Sequence, residues 1–165
     1  MKTTNTHPTS TDCVKGNHDT PTPFPEGITD LHLRKVEFGG LTFGGFNGSW
    51  KYKPRGHFPY EQAEATALIE RLPAVDILVS HNSPRHVHDK EDETHYGFEG
   101  LNTYITRHQS RLLLHGHSHV NRESPSLDAP ESSDSTGIMW PNCSATVLFP
   151  ILSPICLQPF LAIFS

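Results

Sequence analysis

An α/β layered fold is predicted for this 165-residue chain by three observations. Two short, continuous apolar runs, "VDILVS" (75–80) and "RLLLH" (111–115), have the length and composition of strands buried on both faces. Segments of helical character alternate with them, the order expected of a layered α/β domain. Each apolar run delivers histidine just past its C-terminal end, His81 after the first and His117 and His119 after the second, where such folds place ligands.

Taken in order, residues 1–12 are polar and Thr-rich and read as a disordered lead-in. In "CVKGNHD" only Cys13 and Val14 remain of a possible strand. Residues 31–46, "LHLRKVEFGGLTFGGF", alternate apolar and polar residues around a Gly-Gly pair, a β-hairpin signal. The loop "GSWKYKPRGHFP" follows. Residues 60–72, "YEQAEATALIERL", are good helix formers closed by Pro73. Between the two apolar runs, residues 97–109 set Phe98, Leu101 and Ile105 at helical spacing.

Past residue 121 the pattern changes. In 122–137, nine of sixteen residues are Ser, Thr, Pro or Gly, so 122–145 is expected to be a linker. The apolar tail 146–165 has the length of a membrane span, but Pro150, Pro154 and Pro159 each remove a helix hydrogen bond, at about 3 kcal/mol or more. A membrane helix is therefore not expected.

Composition narrows the function. A hydrophobic fraction of 35% lies below the globular norm of roughly 45–50%, so part of the chain is expected to stay unpacked. Net charge is −5 with scattered Lys and Arg, unlike the clustered basic face of a nucleic-acid binder. Cysteines at 13, 143 and 156 show no metal-type spacing and give no disulfide framework, so a reducing, cytoplasmic setting is expected. The polar N-terminus has no apolar signal segment. Twelve histidines are the anomaly, since imidazole is both the commonest metal ligand and the commonest acid or base at neutral pH.

Three clusters concentrate that chemistry. In "GNHD" (16–19) Gly16 permits a tight turn, Asn17 offers a carbonyl oxygen to a cation, His18 is a candidate acid and Asp19 can hold its tautomer; the same residues also make an ordinary turn. "ILVSHNSP" delivers His81. In "HGHSH" (115–119), Gly116 allows a sharp turn, after which His117 and His119, two apart in extended chain, project to one side for one or two metals, or simply face water. His86, His88 and His95, around the acidic run "DKEDE", read as a solvated loop. His115 reads as a strand end, and His32 and His108 as surface. His57 with Arg55 can approach a substrate.

The ordered set "GNHD", "ILVSHNSP", "GHSH" resembles the calcineurin-like metallophosphoesterase superfamily over residues 13–121. The stretch "FGGFNGSWKYKPRGHFPYEQ" through "SHNSPRHVHD" is also similar to small bacterial-type members. By that resemblance Asn17, His81 and His117 are ligands of one metal and His119 of another, in a centre that normally carries two divalent ions. His18 is the catalytic acid that contacts the substrate phosphate, oriented by Asp19. Mn²⁺, Fe or Zn²⁺ suits mixed His, Asn and carboxylate ligation, and paired metals assist in-line displacement at phosphorus. The implied substrate is a phosphate mono- or diester.

The chain also departs from the family. Fifteen residues precede Gly16 and hold neither the DxH nor the GDxxD motif. The expectation is a partial four-layer α/β/β/α sandwich lacking its opening βαβαβ unit, and the alternative function is an impaired fragment with at most one metal and a non-enzymatic role.

Overall fold

Apolar side chains on both sides of the two predicted strands require a layer on each side, and each layer is present. The computed structural model describes residues 11–117 together with the backbone of two short strands, β1 (Thr4–Asn5) and β10 (Ile155–Leu157). Between them run β2 (Thr11–Val14), β3 (Ile28–Asp30), β4 (Lys35–Phe38), β5 (Leu41–Phe46), β6 (Ser49–Trp50), β7 (Pro59–Tyr60), α1 (Gln62–Ile69), β8 (Ile77–Ser80), α2 (Glu99–His108) and β9 (Leu112–His115).

The larger sheet has the order β1-β4-β5-β8-β9. Only its β4–β5 pair is antiparallel, and that pair is the predicted hairpin. Its two-residue turn sets Gly39 at φ 59° and Gly40 at φ 76°, the left-handed pair that a tight hairpin demands. β10, β2 and β3 make a second sheet, and β6 and β7 a parallel pair.

Alternation along β8 and β9 sorts the core into two layers. Leu78 and Leu113 face the helices with Phe46, Ile69, Phe98 and Leu101. Val79, Leu112 and Leu114 face the other way, onto Val14 and Leu31 beside the smaller sheet. Helices α1 and α2 lie close because Gly100 has no side chain; a Cβ there would sit 2.9 Å from the Thr66 Cα. The fold is α/β. No helix among the described residues is long and apolar enough to cross a membrane.

Several expectations change. Thr4–Asn5 and Thr11–Asp12 fall in strands rather than a disordered lead-in, because β1 pairs with β4, and β2 with β3, through backbone groups that composition does not reveal. Cys13 is disulfide-bonded, against the expectation drawn from cysteine spacing; antiparallel pairing of β10 with β2 sets Cys156 in register with Cys13, a juxtaposition made in space. The predicted linker 122–145, most of the apolar tail 146–165, and His119 lie outside the described residues.

Candidate metal centre

Three strand ends converge. β2 delivers the "GNHD" turn, β8 delivers His81 and β9 delivers His117, with β8 and β9 adjacent and parallel so that both histidines leave from the same edge. Backbone bonds lock the edge: the His81 N–H donates to the Phe46 carbonyl (3.2 Å) and the Gly116 N–H to the His81 carbonyl (3.1 Å).

The decisive contact crosses from the turn to the strand. His81 Nε2 lies 2.9 Å from Asn17 Oδ1, both side chains being buried. Asn17 Nδ2 donates to the Tyr52 hydroxyl at 2.9 Å, so the amide is held at both ends with its oxygen toward the imidazole. The His117 ring stands 5.0 Å from the His81 ring, and the His95 ring 5.3 Å from His117 on its other side. Because a carbonyl only accepts, His117 Nε2 donates to the Thr94 oxygen (2.9 Å), which leaves Nδ1 as the ring's basic nitrogen. His95 Nδ1 likewise bonds Asp92 Oδ1 at 2.7 Å.

Both glycine expectations shift. Gly16 is needed for close approach rather than for its φ, since a Cβ there would meet His81 Cε1 at 2.7 Å. The left-handed residue after β9 is His117 itself, at φ 68°, so the chain is not extended there and the strand rule does not fix which way it projects. His18 stands exposed on the turn. Asp19 Oδ2 accepts from the Gly16 N–H at 2.6 Å, and the Asp19 N–H returns to the Gly16 carbonyl at 3.3 Å. Its carboxylate is therefore used to close the turn, and among the described residues it makes no hydrogen bond to His18.

The residues fit one divalent cation. Asn17 Oδ1 only accepts, so His81 Nε2–H donates to it at 2.9 Å; with that proton displaced by a cation, the two atoms are spaced as adjacent ligands about 2.1 Å from an ion would be. Among the described residues no three His, Cys, Asp or Glu side chains converge tightly enough to hold a metal.

Sequence reasoning missed several participants. Tyr52 was one loop residue among many. His88 is buried rather than solvated, its Nδ1 3.1 Å from His115 Nε2. Burial, with the neighbouring His88 second, pushes the His115 imidazole down to about 4, so His115 is neutral at physiological pH. His32 is not a free surface group: the Asn47 N–H donates to its Nδ1 at 3.0 Å, and burial holds its pKa below the usual value. His108 lies against Tyr104 with ring centres 4.6 Å apart. The only hint to the buried pair was the recurrence of histidine on both sides of a charged run.

No family profile matches the chain, and no curated protein matches it. A solved structure 20% identical aligns over 59% of this chain and 41% of its own, at a TM-score of 0.40. The chain spans less than half of that structure, and a likeness this slight carries no argument about function.

Proposed function

We propose that this chain is a metal-dependent phosphoesterase of the calcineurin-like kind, working on a phosphate mono- or diester through one well-formed cation position. The observation that carries the reading is the 2.9 Å approach of Asn17 Oδ1 to His81 Nε2, two residues 64 apart in sequence and each from a motif of that family. The layered arrangement of helices, larger sheet and smaller sheet is compatible with part of the family's sandwich.

Asn17, His81 and His117 would hold the ion, with His119 reserved for a second. When bound, a divalent cation polarises a phosphoryl oxygen and lowers the pKa of water. The protein does the rest. His18, exposed beside a buried ligand, presents its ring to the solvent side, where it protonates the departing oxygen. Asp19 accepts from the Gly16 N–H and so keeps closed the turn that carries both Asn17 and His18. Tyr52 prevents the Asn17 amide from rotating.

One observation favours the second reading, an impaired family fragment: among the described residues no carboxylate joins the cluster to supply charge. Metal per chain, by elemental analysis of wild type and His81→Ala, separates the two when combined with hydrolysis of bis(p-nitrophenyl) phosphate. Metal that is lost in His81→Ala, with turnover abolished by His18→Ala, supports the phosphoesterase. Metal without turnover supports the fragment. No metal in the wild type rejects the phosphoesterase and leaves the fragment.

A further inference from the structure

Beside Asn17 the surface falls into a small, partly open depression whose wall includes Tyr52, Lys53, Arg55 and His57 from the loop between β6 and β7. None of its lining residues is acidic. In a chain of net charge −5 that is a local reversal of sign, and it is not cancelled by ion pairing. Lys51, just outside, is neutralised by Glu61 at 3.0 Å, whereas among the described residues neither Lys53 nor Arg55 has a carboxylate partner. Lys53 instead places Nζ 4.9 Å from the centre of the Tyr52 ring, whose hydroxyl receives the Asn17 amide.

We infer that this loop is a phosphate-oxyanion subsite, with Lys53 and Arg55 holding the phosphoryl oxygens next to the cation ligand Asn17. The inference rests on the phosphoesterase reading for its substrate but on the loop's own charge for its binding. A planar Arg fork and a mobile Lys ammonium are the two side chains that make charge-assisted bonds to phosphate. Tyr52 ties the two halves together: one end of the loop is bonded to the ligand amide while the next residue carries the cation, so anion and metal positions are held in fixed relation. His57 also lines the depression.

The test titrates the full-length chain with inorganic phosphate by calorimetry, with and without Mn²⁺, and measures bound metal in parallel. The variants are Lys53→Ala/Arg55→Ala and, as a control on the far end of α2, Arg107→Ala. Loss of both loop cations should weaken phosphate about tenfold or more, with metal content and the control unchanged. Equal phosphate binding by the double variant overturns the subsite, as does a wild type that takes up metal but no phosphate. A wild type that binds phosphate through the loop without taking up metal upholds the subsite and rejects the phosphoesterase reading. A wild type that binds neither rejects both. To separate substrate from free phosphate, p-nitrophenyl phosphate hydrolysis by the double variant should show a raised KM with kcat nearly kept.

Discussion

His81 Nε2 and Asn17 Oδ1 meet at 2.9 Å only because the Asn17 amide is clamped from behind, its Nδ2 bonded to the Tyr52 hydroxyl at the same distance. An unclamped amide can rotate and present nitrogen, which cannot coordinate. Tyr52→Phe is therefore expected to weaken Co²⁺ affinity about tenfold, the usual effect of removing a group that orients a ligand. The d–d absorption of a cobalt titration measures this directly, and an unchanged midpoint would show that His81 alone sets the amide.

Gly16 makes room for the His81 ring. A methyl group placed there would meet the ring at 2.7 Å, so Gly16→Ala must swing the imidazole away from Asn17. Stability is expected to fall by only about 1–2 kcal/mol, because a side chain rather than backbone yields. Metal uptake should fall much further than the unfolding midpoint does. Parallel loss of both, or of neither, would count against the ring being displaced.

Gly45 answers to a different constraint. It lies on β5 where the two sheets approach, and a Cβ would come within 2.5 Å of Val14 Cγ1, 2.7 Å of Leu31 Cβ and 3.1 Å of the Val79 carbonyl. The backbone on the far side cannot yield cheaply. Gly45→Ala should cost about 3 kcal/mol, read as a shift in the urea midpoint at unchanged slope. Near-wild-type stability would mean that the sheets are less closely apposed.

Asp76 gives the larger sheet a dependence on pH. Its Oδ2 accepts from the Thr42 N–H at 2.9 Å and from the Thr42 hydroxyl at 2.7 Å, joining the start of β5 to the approach to β8. These bonds to Thr42 hold the carboxyl pKa below its ordinary 3.8, with Arg111 and Lys35 adding to the effect. A depressed carboxyl pKa contributes stability above the unfolded value and loses it as pH falls through the folded value. The contribution should therefore vanish between about pH 5 and 2. Thermal melts of wild type and Asp76→Asn across that range should converge at the acid end; curves that stay parallel would remove Asp76 from the account.

Local chemistry made much of this protein legible in its sequence. The apolar runs at 77–80 and 112–115, the Gly39–Gly40 hairpin and the helices at 62–69 and 99–108 follow from periodicity, glycine freedom and proline placement. The histidines at 81 and 117 stand out in the sequence because they follow buried strands. What local chemistry does not carry is distance across the fold. Asn17 to His81, Tyr52 to Asn17, and His88 to His115 join residues 64, 35 and 27 positions apart.

The sequence by itself determined the hairpin, the two apolar strands and the two helices, and which residue types could bind a cation, because propensity, periodicity and side-chain chemistry act over a few residues. Only the tertiary structure decided that Asn17 has its oxygen toward His81, that Asp19 serves the turn rather than His18, that His117 takes the left-handed conformation, and that the cations of the 50–59 loop line one depression with Asn17. Those outcomes depend on which strands pair and how closely two sheets approach. Steric and electrostatic relations of that kind exist only once the layers are assembled.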